Sequence, residues 1–507
     1  MLSLLVPLAC LALSRASQTP LNVPKDKGPG LVCCTSLSET LPNPSIVHFP
    51  GSSEYEAQQK HYYILQQTEL NPSCRISPTT SSEVSLIVKT LTKHDCPFAV
   101  RSGGHMSWTA ANSAGGVTLD LGQLNGVDVD EEKGVVRLGP GSTWKRVYTV
   151  MEGYNVTTAG ARMTDVGGIS LLSFQHGFGS DNVANYEVVL ADGSIVNANA
   201  TSHPDLFWAL KLGSTNYGIV TRFDTFTYPL KDVWSGLRVY PVTSQETPQL
   251  LENWATFSRN VASLKDELQF LVLGRHRQDN VDERIVVWHG SLDTTPTPPL
   301  TPAASTHDTT RATTLLGFLE DLTGFDEQKR TRWSTFTVKI DAAFLWDTFS
   351  RMKEIFDELE YVSGLQWDLC LQPIAQSFLT ASSKTGGNPF RKVLMESEDD
   401  LAIVEFIISW RNKADDEAMY NAIRKLTTWG EDTARQRGIF NSFIYLNYAS
   451  DEQPVYARSV NRDDLARMRK VKLTYDSEDV LGRLWKGGFK LPHDSSDEHW
   501  YAARTEL

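Results

Sequence analysis

The stretch Pro97-Phe-Ala-Val-Arg-Ser-Gly-Gly-His105 decides how this chain is interpreted. Its first five residues are mostly apolar and predict a short strand, which the pair Gly103-Gly104 ends sharply. Because these two positions have no side chains, backbone amides can approach a phosphate group closely, and His105 then lies at the edge of the ligand. Taken alone, the motif is more typical of an ordinary tight turn with a hydrogen-bonded histidine.

Three further motifs follow along the chain. Gly139-Pro-Gly-Ser-Thr143 leads into a predicted helix, whose N-terminus can hold an anion, although helix capping explains it equally well. Val166-Gly-Gly-Ile-Ser170 is followed by Asp181-Asn-Val183, and the fourth motif extends from Trp208 to Thr221. Each motif is weak by itself, and their order and spacing give the set its specificity.

The elements around these motifs predict an α+β domain that ends near residue 240. A helix from Ser81 to His94, capped by Ser81 or Ser82, follows from its apolar periodicity. The Asp192-Gly193 pair predicts a hairpin turn. The remaining elements predicted here are helices at 55–67, 142–151 and 204–210 and strands at 97–101, 117–121, 135–138, 186–190, 194–198 and 218–223.

The second half of the chain predicts a sheet covered by helices on one side. A Thr/Pro-rich stretch, Thr294–Thr314, predicts a flexible or O-glycosylated surface loop. Phe443–Tyr448 is interpreted as a strand, which places Tyr445 and Tyr448 on opposite faces. The other predicted elements are helices at 246–263, 341–359, 415–436 and 463–472 and strands at 267–275, 283–290, 366–372 and 402–410.

Length, charge and the N-terminus limit the class of protein. A chain of 507 residues predicts two domains, and a net charge of -13 argues against a nucleic-acid partner. The apolar run Met1–Leu13 is too short to cross a bilayer, and no later segment is long enough, so no membrane association is expected. Small residues after this run favour a signal peptide over residues 1–16, and the sequons at Asn155 and Asn199 support a secreted glycoprotein.

The cysteines predict disulfides in the first fifth of the chain. There is no Cys-x-x-Cys pair, so no metal site is expected. In an oxidising compartment, Cys33 and Cys34 are expected to pair with Cys74 and Cys96, and either pairing satisfies the sequence. Cys370 lies between leucines and is expected to be a buried thiol.

Together the motifs resemble the FAD-linked oxidoreductases of the vanillyl-alcohol oxidase superfamily, in the berberine-bridge-enzyme-like branch, and most of all its fungal members that serve secondary metabolism. Four stretches carry the resemblance, which extends from about Pro72 to Leu491: Arg101–His105, Tyr186–Asp192, His203–Thr221 and Phe443–Tyr448. The resemblance implies an α+β fold with five parts: a signal peptide (1–16), an N-terminal lead-in (17–69), a two-subdomain FAD-binding domain of the PCMH type (70–240), a substrate domain with an antiparallel sheet covered by helices (241–435), and a C-terminal segment that returns to the FAD domain (436–507).

The family implies an FAD cofactor bonded through its 8α carbon to His105. Some members add a second bond from a cysteine, but Ala159–Gly168 contains none, so a single attachment is expected. This glycine stretch is also shorter than in fungal relatives, and Leu212 stands where they have glycine. The residues assigned to FAD are Arg101, Ser102, Gly103, Gly104, His105, Gly141, Gly167, Gly168, Asp181, Gly218, Ile219, Val220 and Asn447.

On the substrate side, the family's Tyr-x-Asn-Tyr pattern makes Tyr448 the expected catalytic base, with two core tyrosines as the equally weighted alternative. Gln372 resembles a position that lines the substrate pocket, although a strand-end glutamine is the more typical interpretation of this residue. Asp341 and Asp368 are carboxylates without distinguishing context. The expected reaction passes a hydride from a small organic metabolite to flavin N5, and O2 reoxidises the flavin to give H2O2. The alternatives are a sugar oxidase and a catalytically impaired relative that only binds a ligand.

Overall fold

The first sheet gathers strands from both ends of the N-terminal region. The computed structural model describes residues 29–160, 168–259, 267–276, 281–294, 300, 305–321 and 328–492, so the proposed signal peptide and Gly167 lie outside the described residues. Four strands pair in the order β1-β2-β4-β3, with the last three parallel. The elements of this unit are α1 Pro29–Thr40, β1 Val47–His48, α2 Ser53–Gln59, α3 Leu65–Thr68, β2 Cys74–Ile76, α4 Ser81–Lys93, β3 Phe98–Arg101 and β4 Val117–Asp120.

The helix predicted from Ser81 is confirmed, but its cap is one residue earlier. The Thr80 side chain accepts a hydrogen bond from the backbone of Glu83, and the Glu83 carboxylate returns to the backbone of Thr80. This reciprocal pair satisfies two amide groups at the helix start, which neither Ser81 nor Ser82 does. The single helix predicted over 55–67 is instead two short helices, α2 and α3, separated by residues 60–64.

Two disulfides join α1 to the rest of the first unit, one at β2 and one at the turn between α4 and β3. Cys33 is joined to Cys96 and Cys34 to Cys74, which resolves the pairing that the sequence left undecided. The bonds close loops of 63 and 40 residues, and loops of this size give a disulfide about 4 kcal/mol of stabilisation through the unfolded chain. Cys370 is buried, as expected.

A second sheet follows, with five antiparallel strands in the order β5-β6-β10-β8-β9. The predicted hairpin at Asp192-Gly193 is confirmed, because β8 and β9 pair across it. The strands β7 and β11 pair with each other outside this sheet. The elements of this unit are β5 Val127–Asp130, β6 Val135–Leu138, α5 Trp144–Glu152, β7 Val156–Thr157, α6 Ser173–His176, β8 Val183–Val189, β9 Ile195–Asn199, α7 Pro204–Leu210, β10 Ile219–Phe226 and β11 Tyr228–Pro229.

The third sheet is the antiparallel, helix-covered sheet that the sequence predicted. Its strands run in the order β15-β12-β14-β13-β18-β19-β17-β20, with β16 also paired to β12. The elements are β12 Val233–Pro241, α8 Thr247–Arg259, β13 Glu267–His276, β14 Val281–Ser291, β15 His307–Asp308, β16 Arg311–Thr313, α9 Leu315–Glu320, β17 Arg330–Lys339, α10 Ala342–Asp357, β18 Gln366–Ile374, α11 Gln376–Ser383, α12 Arg391–Leu394, β19 Leu401–Trp410, α13 Asp416–Gln436 and β20 Phe440–Asn441. The last helices are α14 Val455–Ser459, α15 Arg462–Tyr475 and α16 Val480–Leu484.

The two faces of this sheet carry different side chains, which alternate along each strand. Trp367, Leu369 and Leu371 of β18 are buried in one core with α8, α10 and α13. Since successive side chains of a strand point to opposite faces, Asp368 and Gln372 point away from these helices. That second face looks toward the first two units, and it carries the site.

The boundaries and one loop differ from the sequence predictions. β1 pairs with β2, so the lead-in that was ended at residue 69 is part of the first unit. β12 pairs with β14, so the third unit begins at Val233 and not at residue 241. Within Thr294–Thr314, the short strands β15 and β16 pair with β12, so this part of the predicted flexible loop is an edge of the sheet.

The predicted strand Phe443–Tyr448 is wrong. Its first residues are irregular, and Leu446–Tyr448 form a 3-10 turn. The Phe443 amide donates to the side chain of Asn441 and the Ile444 amide donates to Ser459 Oγ, so side chains take the hydrogen bonds that a strand would use. The inference that Tyr445 and Tyr448 lie on opposite faces therefore fails. In the part of the chain that the structure describes, no helix has the length and apolar character that a membrane span requires.

Candidate active site

The turn after β3 has the shape that its glycines predicted. Gly104 has a φ of 68°, a left-handed conformation that favours glycine, and a Cβ there would lie 3.2 Å from the ring of Tyr62. Arg101 is buried and forms an ion pair with Asp120. Gly103 and Ser102 are exposed, and the Ser102 hydroxyl donates to the carbonyl of Pro140 in the second glycine motif.

His105 sits in an aromatic slot. Its imidazole stacks on Tyr63, with ring centroids 4.0 Å apart and an interplanar angle of 16°. Trp333 of β17 lies on another side, 5.8 Å from the imidazole centroid. The slot thus combines a turn of the first unit with a strand of the third.

The two expected catalytic residues are in contact. The Tyr448 hydroxyl donates to Gln372 Oε1 at 3.0 Å. The Tyr448 ring is also edge-on to Trp333, with centroids 6.0 Å apart, and to Tyr445 at 4.9 Å. A continuous aromatic wall therefore connects the slot of His105 to the C-terminal segment.

Gly168, the second glycine of the third motif, lies at the far end of this wall. Its φ is 137°, and a Cβ there would overlap the Tyr445 hydroxyl and lie 2.8 Å from Asn447 Nδ2. Asn447 Nδ2 donates to the same hydroxyl at 3.1 Å. Hydrogen bonds also hold the main chain of Gly168, because its amide donates to the carbonyl of Gly160 and its carbonyl accepts from the amide of Gly179. Glycine is thus required where the glycine-rich segment meets the Tyr-x-Asn-Tyr segment.

Tyr63 shows that the wall borders a cleft. Burial raises the pKa of its phenol, and the carboxylates of Glu405 and Asp368 raise it further. The side chain nevertheless keeps part of its surface accessible, as do His105 and Tyr448. Residues that lie deep in the protein and still keep accessible surface are those that line an internal cleft. A flat aromatic cofactor fits a cleft that is bordered by stacked rings and by the backbone of Gly168.

Other residues assigned to FAD have packing roles in the structure. A Cβ at Gly141 would overlap the carbonyl of Leu121, and one at Gly218 would overlap the Val188 side chain. Ile219 is buried in the core of the first unit, and Val220 pairs with Val188 in the second sheet. These contacts explain the residue types, and cofactor contact at these positions stays a prediction.

Asp181 is also held by protein groups. Its carboxylate accepts hydrogen bonds from the Phe178 amide at 3.1 Å and from the side chains of Ser382 and Asn388, both at 3.0 Å. Burial raises the pKa of the Asp181 carboxyl, and these donors partly offset the rise. The structure thus gives Asp181 the role of tying the second unit to the third. Leu212 is likewise a core residue whose carbonyl accepts from Tyr456.

Three residues of the site were missed by sequence reasoning. Tyr63 and Trp333 carried no signal, because their role depends on contacts far along the chain. Glu405 is buried in β19 opposite Cys370, on the cleft side of the sheet. A lone charge inside the apolar run Leu401–Trp410 was the signal that could have found it.

The two carboxylates that the sequence left open have different surroundings. Asp341 caps α10 by accepting the Phe344 amide at 2.7 Å, which is a structural role. Asp368 lies on the cleft side of β18 and binds His276 Nε2 at 2.8 Å. Among the described residues, no group of three or more His, Cys, Asp or Glu side chains has the arrangement of a metal site.

Comparison with known proteins identifies the class. Residues 72–199 match the model of an FAD binding domain family. The chain is 33% identical over 498 residues to the FAD-dependent monooxygenase FUP4 of Fusarium proliferatum, covering 90% of this chain and 94% of that protein. Its fold matches 6-hydroxy-D-nicotine oxidase of Arthrobacter nicotinovorans (TM-score 0.72, 19% identity, 88% of this chain and 98% of that one). It also matches berberine bridge enzyme of Eschscholzia californica (TM-score 0.71, 15% identity, 91% and 100%).

These findings define an FAD-binding oxidoreductase. The chain belongs to the same family of FAD-dependent enzymes as the fungal protein FUP4, and it shares its fold with berberine bridge enzyme and 6-hydroxy-D-nicotine oxidase.

Proposed function

We propose that this enzyme oxidises a small, flat organic metabolite of fungal secondary metabolism and that Tyr448 accepts the proton that the substrate loses. The observation that carries the proposal is the 3.0 Å hydrogen bond from the Tyr448 hydroxyl to Gln372, inside the cleft that extends from His105 to Gly168. Bound FAD supplies the acceptor of a hydride at N5. Trp333 and Tyr448 offer ring faces and edges against which a flat substrate can pack.

Gln372 suits both protonation states of Tyr448. As a phenol, Tyr448 donates to the amide oxygen. As a phenolate it would need a donor, and a side-chain amide provides one by turning its NH2 group toward the same atom. A glutamine therefore holds the Tyr448 oxygen in one position while a proton comes and goes, which a carboxylate could not do without repelling the phenolate.

The fate of oxygen separates two versions of this function. In an oxidase, the electrons pass to O2 and leave as H2O2, one per product molecule. The similarity to the FAD-dependent monooxygenase FUP4 favours a monooxygenase, in which one oxygen atom enters the product. Turnover under 18O2, with peroxide measured in the same sample, distinguishes them: unlabelled product with equimolar peroxide supports the oxidase, and labelled product supports the monooxygenase.

We also propose that His105 is the single covalent anchor of FAD. The purified protein should be yellow, with absorption bands at about 370 and 450 nm, and the colour should remain in the acid-precipitated pellet. In His105→Ala the flavin should move to the supernatant. A colourless folded protein would support the alternative of an impaired, ligand-binding relative, and release of flavin from the unchanged protein would contradict the covalent bond alone.

Finally, we propose that the chain folds in the secretory pathway. The disulfides Cys33–Cys96 and Cys34–Cys74 support this, since such bonds persist in oxidising compartments. Asn155 lies in an exposed turn, as a glycosylation acceptor should. Treating the protein from its native source with an N-glycosidase should increase its electrophoretic mobility, and Asn155→Gln should remove part of that shift. Unchanged mobility of the native protein would count against secretion.

A further inference from the structure

Residues 60–69, here named the bridging segment, connect the first unit to the third sheet. On the first unit, the Tyr63 amide donates to the carbonyl of Gly104 at 3.1 Å, one residue before His105. Gln67 Nε2 donates to the carbonyl of Met106 at 3.0 Å, and Gln67 Oε1 accepts the amide of Ala111 at 2.9 Å. The bridging segment therefore holds the main chain on both sides of His105.

The same segment is bonded to the edge of the third sheet. The Leu65 amide donates to the carbonyl of Lys329 at 3.0 Å. The Gln66 side chain accepts from the amide of Thr331 at 3.3 Å and donates to its carbonyl at 3.0 Å, as a neighbouring strand would. Glu69 forms ion pairs with Arg330 and with Lys413. These contacts fix the segment against β17, the strand that carries Trp333.

Tyr63 lies at the centre of this double attachment. Its main chain is held at Gly104, and its ring packs between the imidazole of His105 at 4.0 Å and Trp333 at 5.4 Å. A ring so confined cannot rotate freely, and the near-parallel stack restricts rotation of the imidazole in turn. Burial keeps the Tyr63 phenol protonated, because it raises the pKa of that group. The stacking surface is thus a neutral ring.

We infer that Tyr63 is a positioning residue for the flavin anchor: its ring holds the imidazole of His105 in the plane from which a ring nitrogen reaches the 8α carbon of FAD. The inference rests on the covalent attachment proposed above. In that attachment a C–H bond at the 8α carbon breaks and an N–C bond forms. The proton leaves to solvent, and the electron pair reduces the flavin, which O2 reoxidises with release of H2O2.

Removal of the stacking ring is the test. A stacked aromatic pair favours the stacked arrangement by about 2- to 10-fold. In Tyr63→Leu, the fraction of molecules with the His105 imidazole in this orientation should therefore fall by the same factor. We expect the covalent fraction of flavin, measured in acid-precipitated protein after matched short expression times, to fall about 2- to 10-fold, while total flavin per protein stays the same. Tyr63→Phe keeps the ring and should retain the covalent fraction of the unchanged protein.

Two further variants make the result specific. Tyr62→Phe removes two hydrogen bonds from the same segment, one donated to the carbonyl of Ala111 and one accepted from Arg75, but it leaves the stack, so its covalent fraction should not change. Tyr63→Met replaces Tyr63→Leu if the latter does not fold, as judged by thermal unfolding, and has the same expected result. A full covalent fraction in the folded Leu or Met variant overturns the inference, and a loss in Tyr63→Phe equal to that in Tyr63→Leu overturns the role of stacking. Wholly non-covalent flavin in the unchanged protein instead overturns the attachment itself.

Discussion

Replacement of Tyr448 with Phe is expected to slow reduction of the bound flavin by substrate by about 100-fold or more, because a positioned proton acceptor contributes roughly that much to a rate. The ring packing against Trp333 and Tyr445 is kept by phenylalanine, so substrate and flavin should still bind. Anaerobic stopped-flow mixing with substrate, followed at the flavin absorption band, measures the rate directly.

Tyr475→Phe is the matched control for this prediction. It also removes a hydrogen-bonded tyrosine hydroxyl, here one that donates to Asp205 of α7 at 2.9 Å and lies 3.1 Å from His203 Nδ1. The control should reduce its flavin at the rate of the unchanged protein. A Tyr448→Phe enzyme as fast as Tyr475→Phe would remove Tyr448 from the mechanism and would leave it as a core residue.

Gly168→Ala is expected to prevent stable FAD retention. The new methyl group would overlap the Tyr445 hydroxyl and crowd Asn447. Overpacking of this kind costs about 1–3 kcal/mol, and the left-handed φ of 137° adds about 1–3 kcal/mol for a residue with a side chain. Flavin bound per protein, measured after gel filtration, should fall sharply, and the thermal midpoint should fall with it.

Two companion variants separate strain from overlap. Gly115 also has a left-handed φ, 67°, but a Cβ there meets nothing within 4 Å, so Gly115→Ala reports backbone strain alone. The double variant Gly168→Ala/Tyr445→Phe removes the oxygen that the new methyl group would overlap. It should therefore retain more flavin than Gly168→Ala alone, so the effects of the two substitutions should not add. Full flavin retention in Gly168→Ala would show that the contact of Gly168 with Tyr445 and Asn447 does not contribute to FAD binding.

The sequence predicted best where local chemistry decides the structure. The Asp192-Gly193 turn and the helix from Ser81 follow from residues within a few positions of one another. The family resemblance also pointed to Tyr448 and Gln372, which are far apart along the chain and which the structure brings into contact, while their catalytic roles stay predictions. β17 was missed because its cleft side carries polar residues such as Thr331 and Thr335, so the strand lacks an apolar pattern.

Other errors had causes that periodicity cannot reveal. Phe443–Tyr448 alternates like a strand, but Asn441 and Ser459 take its amide hydrogen bonds. Tyr63 lies in a gap between two short helices, and its importance depends on Gly104 and Trp333. The thermodynamic reason is the same in each case, since tertiary contacts outweigh local preference wherever they satisfy the backbone better.

The bridging segment also determines which recombinant fragment of this protein can contain the complete cofactor site. The recognisable FAD binding domain begins at residue 72. A recombinant fragment cut at that boundary would lose Tyr63, and it would also lose Cys33 and Cys34. Cys74 and Cys96 would then be left without their bonding partners. The smallest expressible form of the cofactor site must therefore start upstream of α1, well before the region by which the family is recognised.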